Sequence, residues 1–481
     1  MRALILFLIL ALNMATEAQP PDTLWIRTFG GSARDMGHSV LQTEDEGFII
    51  VGETQSYGAG GQDVWVIKTD SRGVLEWDQT YGAGNHEVGM CIQPTDDGGY
   101  IIVGAAVTWA TMTDVLMIKI DADGYERWSN TFGGSDWDEG NYVQQTTDGG
   151  YVIAGRTRSY SEGYGNVWLI KTDRDGFEQW DHTYGGNQTD CGNCVEQTAD
   201  GGYIITGYTD SFGAGQLDVW LVKTDSSGNE DWNRTFGGPN NDSGNAVRQT
   251  ADGGYIIAGN ANITYTGSDA WLIKTDSTGN VAWDRIFSRC CDDYASDVRL
   301  TNDGGYILAG ASAPDSLYYD DLWLIKCDND GDSLWSRSYG GVSAEWANCV
   351  QQTSDGGYVT VGYTQSYGAG EGDIWLVRVN SETSATPDFE VPSALEFALH
   401  PAHPNPFNNT TTFTYAIPHS GSVTFAIYDI LGQRVATLFN GAQTAGIHSI
   451  SWDAVSQSSG IYFCRLQSGA YSQCQKLVLI K

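Results

Sequence analysis

The sequence predicts an all-β protein. Glycine is abundant, with 60 residues among 481, while aromatic residues make up 12% of the chain and charged residues only 18%. This composition is typical of short strands joined by tight turns. The stretch DGGYIIAG at 252–259 also recurs, in close copies at 97–104, 148–155, 200–207, 303–310 and 355–362 and in a looser copy at 45–52. The copies mark a repeat of 51 or 52 residues.

Each repeat contains four segments with the pattern of a strand. In the repeat at 242–287 they are GNAVRQT, GYIIAGN, DAWLIKTD and GNVAWDRIF, the first to fourth strands. The Asp-Gly pair after the first strand suits a tight hairpin with positive φ. Nearly continuous apolar runs in the second and third strands indicate burial on both faces. Four-stranded antiparallel units repeated radially form β-propellers. Seven copies therefore predict a seven-bladed β-propeller over residues 22–380.

The two ends of the repeat array predict how the ring closes. The array begins with a fourth-strand segment, TLWIRTFG at 23–30, and ends after a third-strand segment, DIWLVRVN at 373–380. The last blade lacks its own fourth strand, and we expect the N-terminal strand to supply it, which leaves no open edge. The stretch KTDSSGNEDW at 223–232 resembles the Asp-Gly-Trp stretch of bacterial quinoprotein-like propellers, in which the Trp docks between blades.

The N-terminus has the pattern of a secretory signal peptide. Residues 1–18 contain one Arg, an apolar run from Leu4 to Leu12, and small residues before a cleavage site after Ala18. The apolar run is too short to span a bilayer, and no later segment is long enough. We expect an exported protein that is soluble or is held at a surface by something other than a transmembrane helix.

The charge of the chain limits its partners. The formal net charge is −35, and such a surface repels nucleic acids and anionic lipids. Cations, neutral glycans and proteins remain compatible ligands. The charge changes beyond a polar linker at 381–395, because residues 396–481 carry three acids and four bases.

The last part of the chain, residues 396–481, has short alternating strands and no 52-residue period, which predicts a small Ig-like β-sandwich. By pattern alone, this could be a plain accessory domain. Five stretches in order resemble the C-terminal sorting domain of the type IX (Por) secretion system: PNPFNNTTTFTYAIP at 404–418, VTFAIYDILGQRV at 423–435, AGIHSISWD at 445–453, SGIYFCRL at 459–466 and KLVLIK at 476–481. The resemblance implies that outer-membrane secretion machinery is a partner, and that the protein is secreted or attached to the outer cell surface of a bacterium.

Nine cysteines leave at least one unpaired. Cys464 and Cys474 are equidistant from Gly469, the expected tip of a hairpin. We predict a disulfide between them, provided that they form a non-hydrogen-bonded pair. Three cysteines recur at one first-strand position and are expected to be small buried hydrophobic residues. They are Cys91, Cys194 and Cys349.

Every repeat has an acid five residues before the apolar anchor of its first strand. These acids are Asp35, Glu87, Asp138, Asp190, Asp242, Asp293 and Glu345. If the first strand is innermost, they ring the mouth of a central channel. They could fix the loop by accepting backbone N–H bonds or bind a cation, with Ca²⁺ the favoured ion, and the two roles are compatible.

A further acid precedes the third strand in six repeats, where strand-start capping is the simpler role. It is Asp63, Asp114, Asp218, Asp269, Asp321 or Asp373, with Asn166 in the remaining repeat.

The loops between the second and third strands open on the same side as these acids, and each carries an aromatic residue. The candidate ligand-binding residues are Tyr57, Trp109, Tyr160, Phe212, Tyr265, Tyr319 and Tyr367. Four loops retain the pattern T-x-S-(Y/F), at 54–57, 157–160, 209–212 and 364–367. Aromatic faces beside carboxylates suit sugar binding, and they suit capping of blade edges equally well.

Catalytic signatures are missing from the sequence: it contains no G-x-S-x-G, no H-E-x-x-H and no P-loop. We therefore expect a binding or scaffold protein with a glycan, cation or protein ligand at one face. The alternative is a polysaccharide lyase or glycoside hydrolase using carboxylates at the channel mouth. Such an enzyme would need one carboxylate pair that departs from the symmetry of the repeats.

Overall fold

The computed structural model describes residues 21–107, 112–264, 267–289, 291–313, 319–381, 398–399, 407, 409–417, 421–443, 446–455, 457–468 and 471–481. The predicted signal peptide and nearly all of the predicted linker lie outside these residues. The chain divides into two compact units, Met1–Thr383 and Ser384–Lys481. The described residues of both units contain strands and no helix, so none of them forms a helix that could cross a membrane.

The described residues of the first unit form 28 strands in seven four-stranded antiparallel sheets. Sheets 1 to 6 each take four consecutive strands from β2 to β25, and sheet 7 has the order β1-β28-β27-β26. The strands are β1 (Thr23–Phe29), β2 (Asp35–Gln42), β3 (Phe48–Thr54), β4 (Asp63–Thr69), β5 (Leu75–Tyr81), β6 (Glu87–Pro94), β7 (Tyr100–Val107), β8 (Thr113–Ile120), β9 (Glu126–Phe132), β10 (Asp138–Gln145), β11 (Tyr151–Thr157), β12 (Asn166–Thr172), β13 (Glu178–Tyr184), β14 (Asp190–Gln197), β15 (Tyr203–Thr209), β16 (Asp218–Thr224), β17 (Glu230–Phe236), β18 (Ser243–Gln249), β19 (Tyr255–Thr264), β20 (Gly267–Thr275), β21 (Val281–Phe287), β22 (Asp293–Leu300), β23 (Tyr306–Ser312), β24 (Asp321–Cys327), β25 (Ser333–Tyr339), β26 (Glu345–Gln352), β27 (Tyr358–Thr364) and β28 (Asp373–Val379). These repeated sheets are consistent with the blades of a propeller-like fold.

The N-terminal strand is the fourth strand of the last sheet. β1 pairs antiparallel with β28, with Ile26 opposite Val377 and Phe29 opposite Ile374. Sheet 7 is therefore assembled from the two ends of the first unit, which places residues 23–29 beside residues 374–379 as the repeat pattern predicts.

The hairpin between the first and second strands explains the most repeated residues of the sequence. In sheet 5, the Asp252 carboxylate accepts the Thr250 hydroxyl (2.6 Å) and the Gly254 N–H (3.0 Å). Gly253, between them, has a φ of +80°, in the left-handed region that favours glycine. The equivalent residue of sheet 1 is Glu46, which adopts a φ of +65° without being glycine.

Replacing Glu46 by glycine should therefore stabilise the protein. The left-handed conformation costs a non-glycine residue about 1–2 kcal/mol, and the extra freedom of glycine in the unfolded chain offsets part of the gain. We expect Glu46→Gly to raise the free energy of unfolding by about 0.5–1 kcal/mol, measured by urea denaturation. Glu44→Gly, two residues earlier in the same exposed turn, is the matched control and should not stabilise. Equal effects of the two substitutions would contradict the prediction.

The last glycine of the repeated stretch faces the backbone of the first strand. In sheet 4, a Cβ at Gly207 would stand 1.8 Å from the carbonyl oxygen of Cys191. The approach is close because the first strand carries a β-bulge between Gly192 and Cys194. The corresponding glycines of the other sheets have equally close contacts of 1.8–2.0 Å. They are Gly52, Gly104, Gly155, Gly259, Gly310 and Gly362.

The hydrophobic core lies between neighbouring sheets. Leu169 of sheet 3 shares one buried cluster with Ile205 of sheet 4, and Val361 of sheet 7 shares another with Ile50 of sheet 1. At the outer edge of the sheets, the fourth-strand Trp packs edge-on against the aromatic residue that opens the second strand of the next sheet. Trp180 and Tyr203 have ring centroids 5.9 Å apart. The apolar second and third strands are thus buried on both faces, as their composition indicates.

The second unit contains a three-stranded sheet, β29-β30-β33, and a four-stranded sheet, β32-β31-β34-β35. Its strands are β29 (Ala398–Leu399), β30 (Thr410–Ile417), β31 (Gly421–Asp429), β32 (Arg434–Gln443), β33 (Gly446–Asp453), β34 (Gly460–Ser468) and β35 (Tyr471–Leu479). Both sheets contribute to one buried cluster, in which Phe413 and Phe425 meet edge to face at 4.9 Å.

The predicted disulfide between Cys464 and Cys474 is wrong. Cys464 lies opposite Gln475, and Cys474 lies opposite Arg465. The hairpin is centred half a residue further along the chain than the symmetric placement on Gly469 assumes. This one-residue shift in pairing puts the two side chains on opposite faces. Cys464 is buried and Cys474 exposed, and both thiols are free. Burial raises the pKa of the Cys464 thiol to about 12.

Candidate functional site

The acids that precede the first strands are buried inside the loops that they join. Asp138 in sheet 3 is fully buried. Its carboxylate accepts the Gly134 N–H at 2.9 Å, the Ser159 hydroxyl at 2.6 Å, and the N–H groups of Arg158 and Ser159 at 3.2 Å. The Thr157 hydroxyl also donates to it. One carboxylate therefore ties the loop before the first strand to the loop after the second strand.

The T-x-S pattern decides how completely each acid is hydrogen-bonded. Where the loop has this pattern, the acid accepts a glycine N–H, the Thr hydroxyl and the Ser N–H, as at Asp35, Asp138, Asp190 and Glu345. Sheet 5 lacks the pattern. There Asp242 accepts the N–H groups of Gly238 and Asn262, both at 2.8 Å. The seven acids are therefore not equivalent.

The acids also lie in pairs at the boundaries between sheets. At Gly82, the position that a Cβ would take is 1.9 Å from Asp63 Oδ1 of sheet 1 and 2.9 Å from Glu87 Oε2 of sheet 2. Burial and then the Asp63 charge raise the pKa of Glu87, against the opposing Ala83 N–H. At the boundary of sheets 3 and 4 the pair is Asn166 and Asp190. The acids before the third strands thus lie against the acids of the next sheet.

These acids do not gather at one centre. Within the described residues, no three His, Cys, Asp or Glu side chains form a group that could hold a metal ion. Four of the seven carboxylates already accept protein N–H and O–H groups, so an ion there would have to displace those donors. Calcium binding by these acids stays a prediction.

Four of the described aromatic residues of the loops are half exposed and held in fixed positions. Tyr160 is 52% exposed. Its hydroxyl donates to the carbonyl of Gly133 in the preceding sheet (2.8 Å), and its ring lies 5.3 Å from the ring of Trp168. The same packing recurs at Tyr57, Phe212 and Tyr367, and Tyr319 is also exposed. Trp109 and Tyr265 lie outside the described residues.

A cavity of about 290 Å³ is lined by the first strands of all seven sheets. The residues at its bulge positions are His38, Met90, Asn141, Asn193, Asn245, Ser296 and Asn348. The Asn side chains join consecutive sheets: Asn193 donates to the Gly244 carbonyl at 2.9 Å, and Asn348 of sheet 7 donates to the Gly37 carbonyl of sheet 1 at 2.8 Å. Cys91, Cys194 and Cys349 also line the cavity and are buried.

Sequence reasoning missed a buried charge cluster beside this cavity. Arg248 Nη2 lies 3.1 Å from Asp297 Oδ1, and Arg299 Nε lies 3.2 Å from Asp297 Oδ2. The Arg248 guanidinium also lies 5.4 Å from the centre of the Tyr142 ring. The signal was present in the alignment of repeats, because the positions of Arg248 and Arg299 hold Gln in three other repeats. The cluster bridges sheets 5 and 6.

Sequence reasoning also missed a repeated ion pair beneath the first hairpin. Lys326 is fully buried on its third strand, with Nζ 2.8 Å from Asp303 Oδ2. It also donates to the Cys327 carbonyl at 3.0 Å. The equivalent pairs are Lys68–Asp45, Lys119–Asp97, Lys171–Asp148, Lys223–Asp200, Lys274–Asp252 and Arg378–Asp355. The Asp of each DGG turn therefore holds a buried cation as well as the turn. The sequence did contain a sign of this ion pair, because each apolar third strand has a single basic residue.

These ion pairs predict a loss of stability in acid. The Thr250 hydroxyl, against the opposing effect of burial, and then Lys274 lower the pKa of Asp252 to about 2. The pKa is also lowered to about 2 at Asp45, Asp97, Asp148, Asp200 and Asp303. Because the folded pKa lies below the unfolded value, the stabilisation is complete above about pH 4 and is lost as the pH falls towards 2.

We expect the urea midpoint to fall steeply between pH 4 and pH 2 because several sites titrate together. Asp252→Asn should lower stability at pH 7 and have a smaller effect at pH 2.5, because the carboxyl group is then largely protonated in the unfolded chain and much of the stabilisation is already lost. A midpoint that stays constant across this window would contradict the prediction. So would an Asp252→Asn effect of equal size at both pH values.

Comparisons with known proteins identify one end of the chain. Residues 402–481 match the family described as the secretion system C-terminal sorting domain. No curated protein matches the chain. Similar solved structures include Sqt1 from Chaetomium thermophilum (10% identity, 75% of this chain and 99% of that one, TM-score 0.44). A second is a puromycin hydrolase (13% identity, 81% of this chain and 60% of that one, TM-score 0.44). A third is an ancestral GH74 enzyme (12% identity, 96% of this chain and 64% of that one, TM-score 0.41). Similarities this low assign no activity.

The sorting domain establishes where the protein goes. Proteins with this domain are secreted or attached to the cell surface of bacteria through type IX secretion, so the domain implies interaction with that secretion machinery. The chain therefore combines an all-β repeat unit with a type IX sorting domain, and it is a secreted or surface-attached bacterial protein.

Proposed function

We propose that the first unit is a closed seven-bladed β-propeller and that the second is an Ig-like sandwich. The contacts between sheets 7 and 1 support closure. Ser354 N–H of sheet 7 donates to Gln42 Oε1 of sheet 1 at 2.8 Å, and the Gln42 N–H donates to Gln351 Oε1 at 2.7 Å. The cavity lined by all seven first strands supports the same arrangement. The core shared by two sheets supports the sandwich.

We propose that the protein binds a ligand through the propeller and serves as a secreted or surface-held binding or scaffold protein. One observation carries this proposal: four loop aromatics stay 45–52% exposed although their positions are fixed by packing and hydrogen bonds. They are Tyr57, Tyr160, Phe212 and Tyr367. A rigid exposed ring loses little entropy when it binds. Neutral glycans, cations and proteins are the ligand classes that the net charge of −35 allows.

The proposal can be tested by screening the purified protein against immobilised polysaccharides and surface proteins. We expect saturable binding of at least one ligand, and weaker binding when Tyr57, Tyr160, Phe212 and Tyr367 are all replaced by alanine. The proposal would be rejected if none of the immobilised ligands bound, or if the aromatic replacements left the affinity unchanged. The same screen should measure new reducing ends, because their appearance would favour the lyase or hydrolase alternative.

Calcium binding needs a separate experiment. If the acids that precede the first strands bind Ca²⁺, removing it with a chelator should lower the melting temperature, and restoring it should reverse the change. Asp242→Asn, at an acid with few protein donors, should reduce the response. A melting temperature unchanged by the chelator would remove calcium from the proposal.

A further inference from the structure

A groove of about 670 Å³ runs along the outer edges of sheets 2 and 3. One wall is the end of β9 with Gly133, which follows it, and the other is β13, which carries Glu178, Asp181 and His182. Tyr160 lies between the walls. It presents a half-exposed ring that is held by the Gly133 carbonyl. The groove therefore combines an oriented aromatic ring with polar side chains.

The fourth strand of sheet 3 differs inside this groove from the fourth strands of its two neighbours, sheets 2 and 4. In sheet 2, the Ser129 hydroxyl donates to Glu126 at 2.7 Å. In sheet 4, the Asn233 amide donates to Glu230 at 2.6 Å. The corresponding pair of sheet 3 is Glu178 and Asp181. Asp181 is a second acceptor and has no proton to donate as a carboxylate, so the internal donor present in both neighbouring sheets is missing.

The two carboxyl groups have different surroundings. Asp181 accepts the Trp168 Nε1–H at 2.8 Å, whereas burial and then the Asp181 charge raise the pKa of Glu178. His182 lies beside them, and its Nε2–H donates to the Ser227 carbonyl at 3.0 Å. This bond leaves His182 Nδ1 as an acceptor. The groove thus presents hydrogen-bond acceptors on Glu178, Asp181 and His182, which hydroxyl groups of a ligand could satisfy.

We propose that this groove binds neutral pyranose units of a polysaccharide, with a sugar face stacked on Tyr160 and sugar hydroxyls donating to Glu178 and Asp181. Aromatic rings suit the apolar face of a sugar ring, and a few well-placed polar groups orient a ligand in a mainly preformed site. The two acids and the charge of −35 disfavour uronic acids. The inference rests on the proposed binding role of the propeller and names a ligand class and a place for it.

Isothermal titration calorimetry of the purified protein tests this. The probes are hexasaccharides of β-1,4-glucan, β-1,4-mannan, β-1,4-xylan and α-1,4-glucan, with an oligogalacturonide as the acidic comparator. We expect at least one neutral probe to bind, and the acidic comparator to bind at least tenfold more weakly. Asp181→Asn should weaken binding about tenfold. The new amide would donate a hydrogen bond to Glu178, as Asn233 donates to Glu230, and Glu178 would then be less available to a sugar hydroxyl. Tyr160→Ala should abolish it.

The chain supplies a matched control. Asn233→Asp makes the reverse exchange in sheet 4, at a residue that does not line the groove, and should leave binding unchanged. Failure of every neutral probe, unchanged binding by Asp181→Asn and Tyr160→Ala, an equal effect of the control, or new reducing ends would overturn the inference. Binding of a non-sugar ligand that depends on the other loop aromatics would still support the proposed function, which separates the two failures.

Discussion

Replacing Gly207 by alanine is expected to cost about 3 kcal/mol or more of folding free energy, the upper range for overpacking a close-packed interior. The new Cβ would stand 1.8 Å from the Cys191 carbonyl oxygen. Because the obstacle is backbone rather than a flexible side chain, relief requires the two strands to separate. Urea denaturation followed by tryptophan fluorescence would measure the loss.

Gly238→Ala is the matched control, since no atom lies within 4 Å of the position of its Cβ. We expect it to change stability by less than about 0.5 kcal/mol, as surface substitutions usually do. If Gly207→Ala were tolerated as well as Gly238→Ala, the close approach of the first and second strands would be refuted.

Replacing Asp138 by alanine is expected to cost about 3–5 kcal/mol. The change removes the acceptor of five hydrogen bonds, and each buried donor left unsatisfied costs about 1–3 kcal/mol, partly relieved by water. The free energy of unfolding, measured with calcium and with a chelator, gives the size of the loss and its cause. A loss that is independent of calcium supports the structural role of the carboxylate.

The matched control is Asp242→Ala, at the same position of sheet 5. Asp242 accepts two hydrogen bonds from described residues, so we expect a cost of about 1–2 kcal/mol. Equal losses at the two positions would contradict the view that the T-x-S loops determine how strongly each acid holds its sheet. A loss at Asp138 that disappears in chelator would instead indicate a bound ion.

The parts of the fold that could be predicted are those that a repeat displays directly. The DGGY stretch predicts a hairpin because Asp and Gly are required by a turn with positive φ, and Gly253 has that φ. The pairing of residues 23–29 with β28 followed from counting strands at the ends of the array. Such features depend on local chemistry and on repetition, both of which one sequence shows.

The parts that could not be predicted depend on register and on contacts between repeats. The Cys464–Cys474 pairing failed because one residue of register reverses every side chain, and the turn residues do not determine that register. The partner of Lys326, Asp303, lies 23 residues away across a hairpin. The Glu178–Asp181 pair could have been found by comparing the repeats position by position, because it combines two acids where the neighbouring repeats combine an acid with Ser or Asn.

The pairing of β1 with β28 has a consequence for the order of folding. About 350 residues separate the partners, so the last sheet has a very high contact order, and the entropy of closing that loop must be paid before its hydrogen bonds form. Sheet 7 cannot be completed until residue 379 has been synthesised. An exported chain has reason to postpone its final folding step, and here the topology itself supplies the delay.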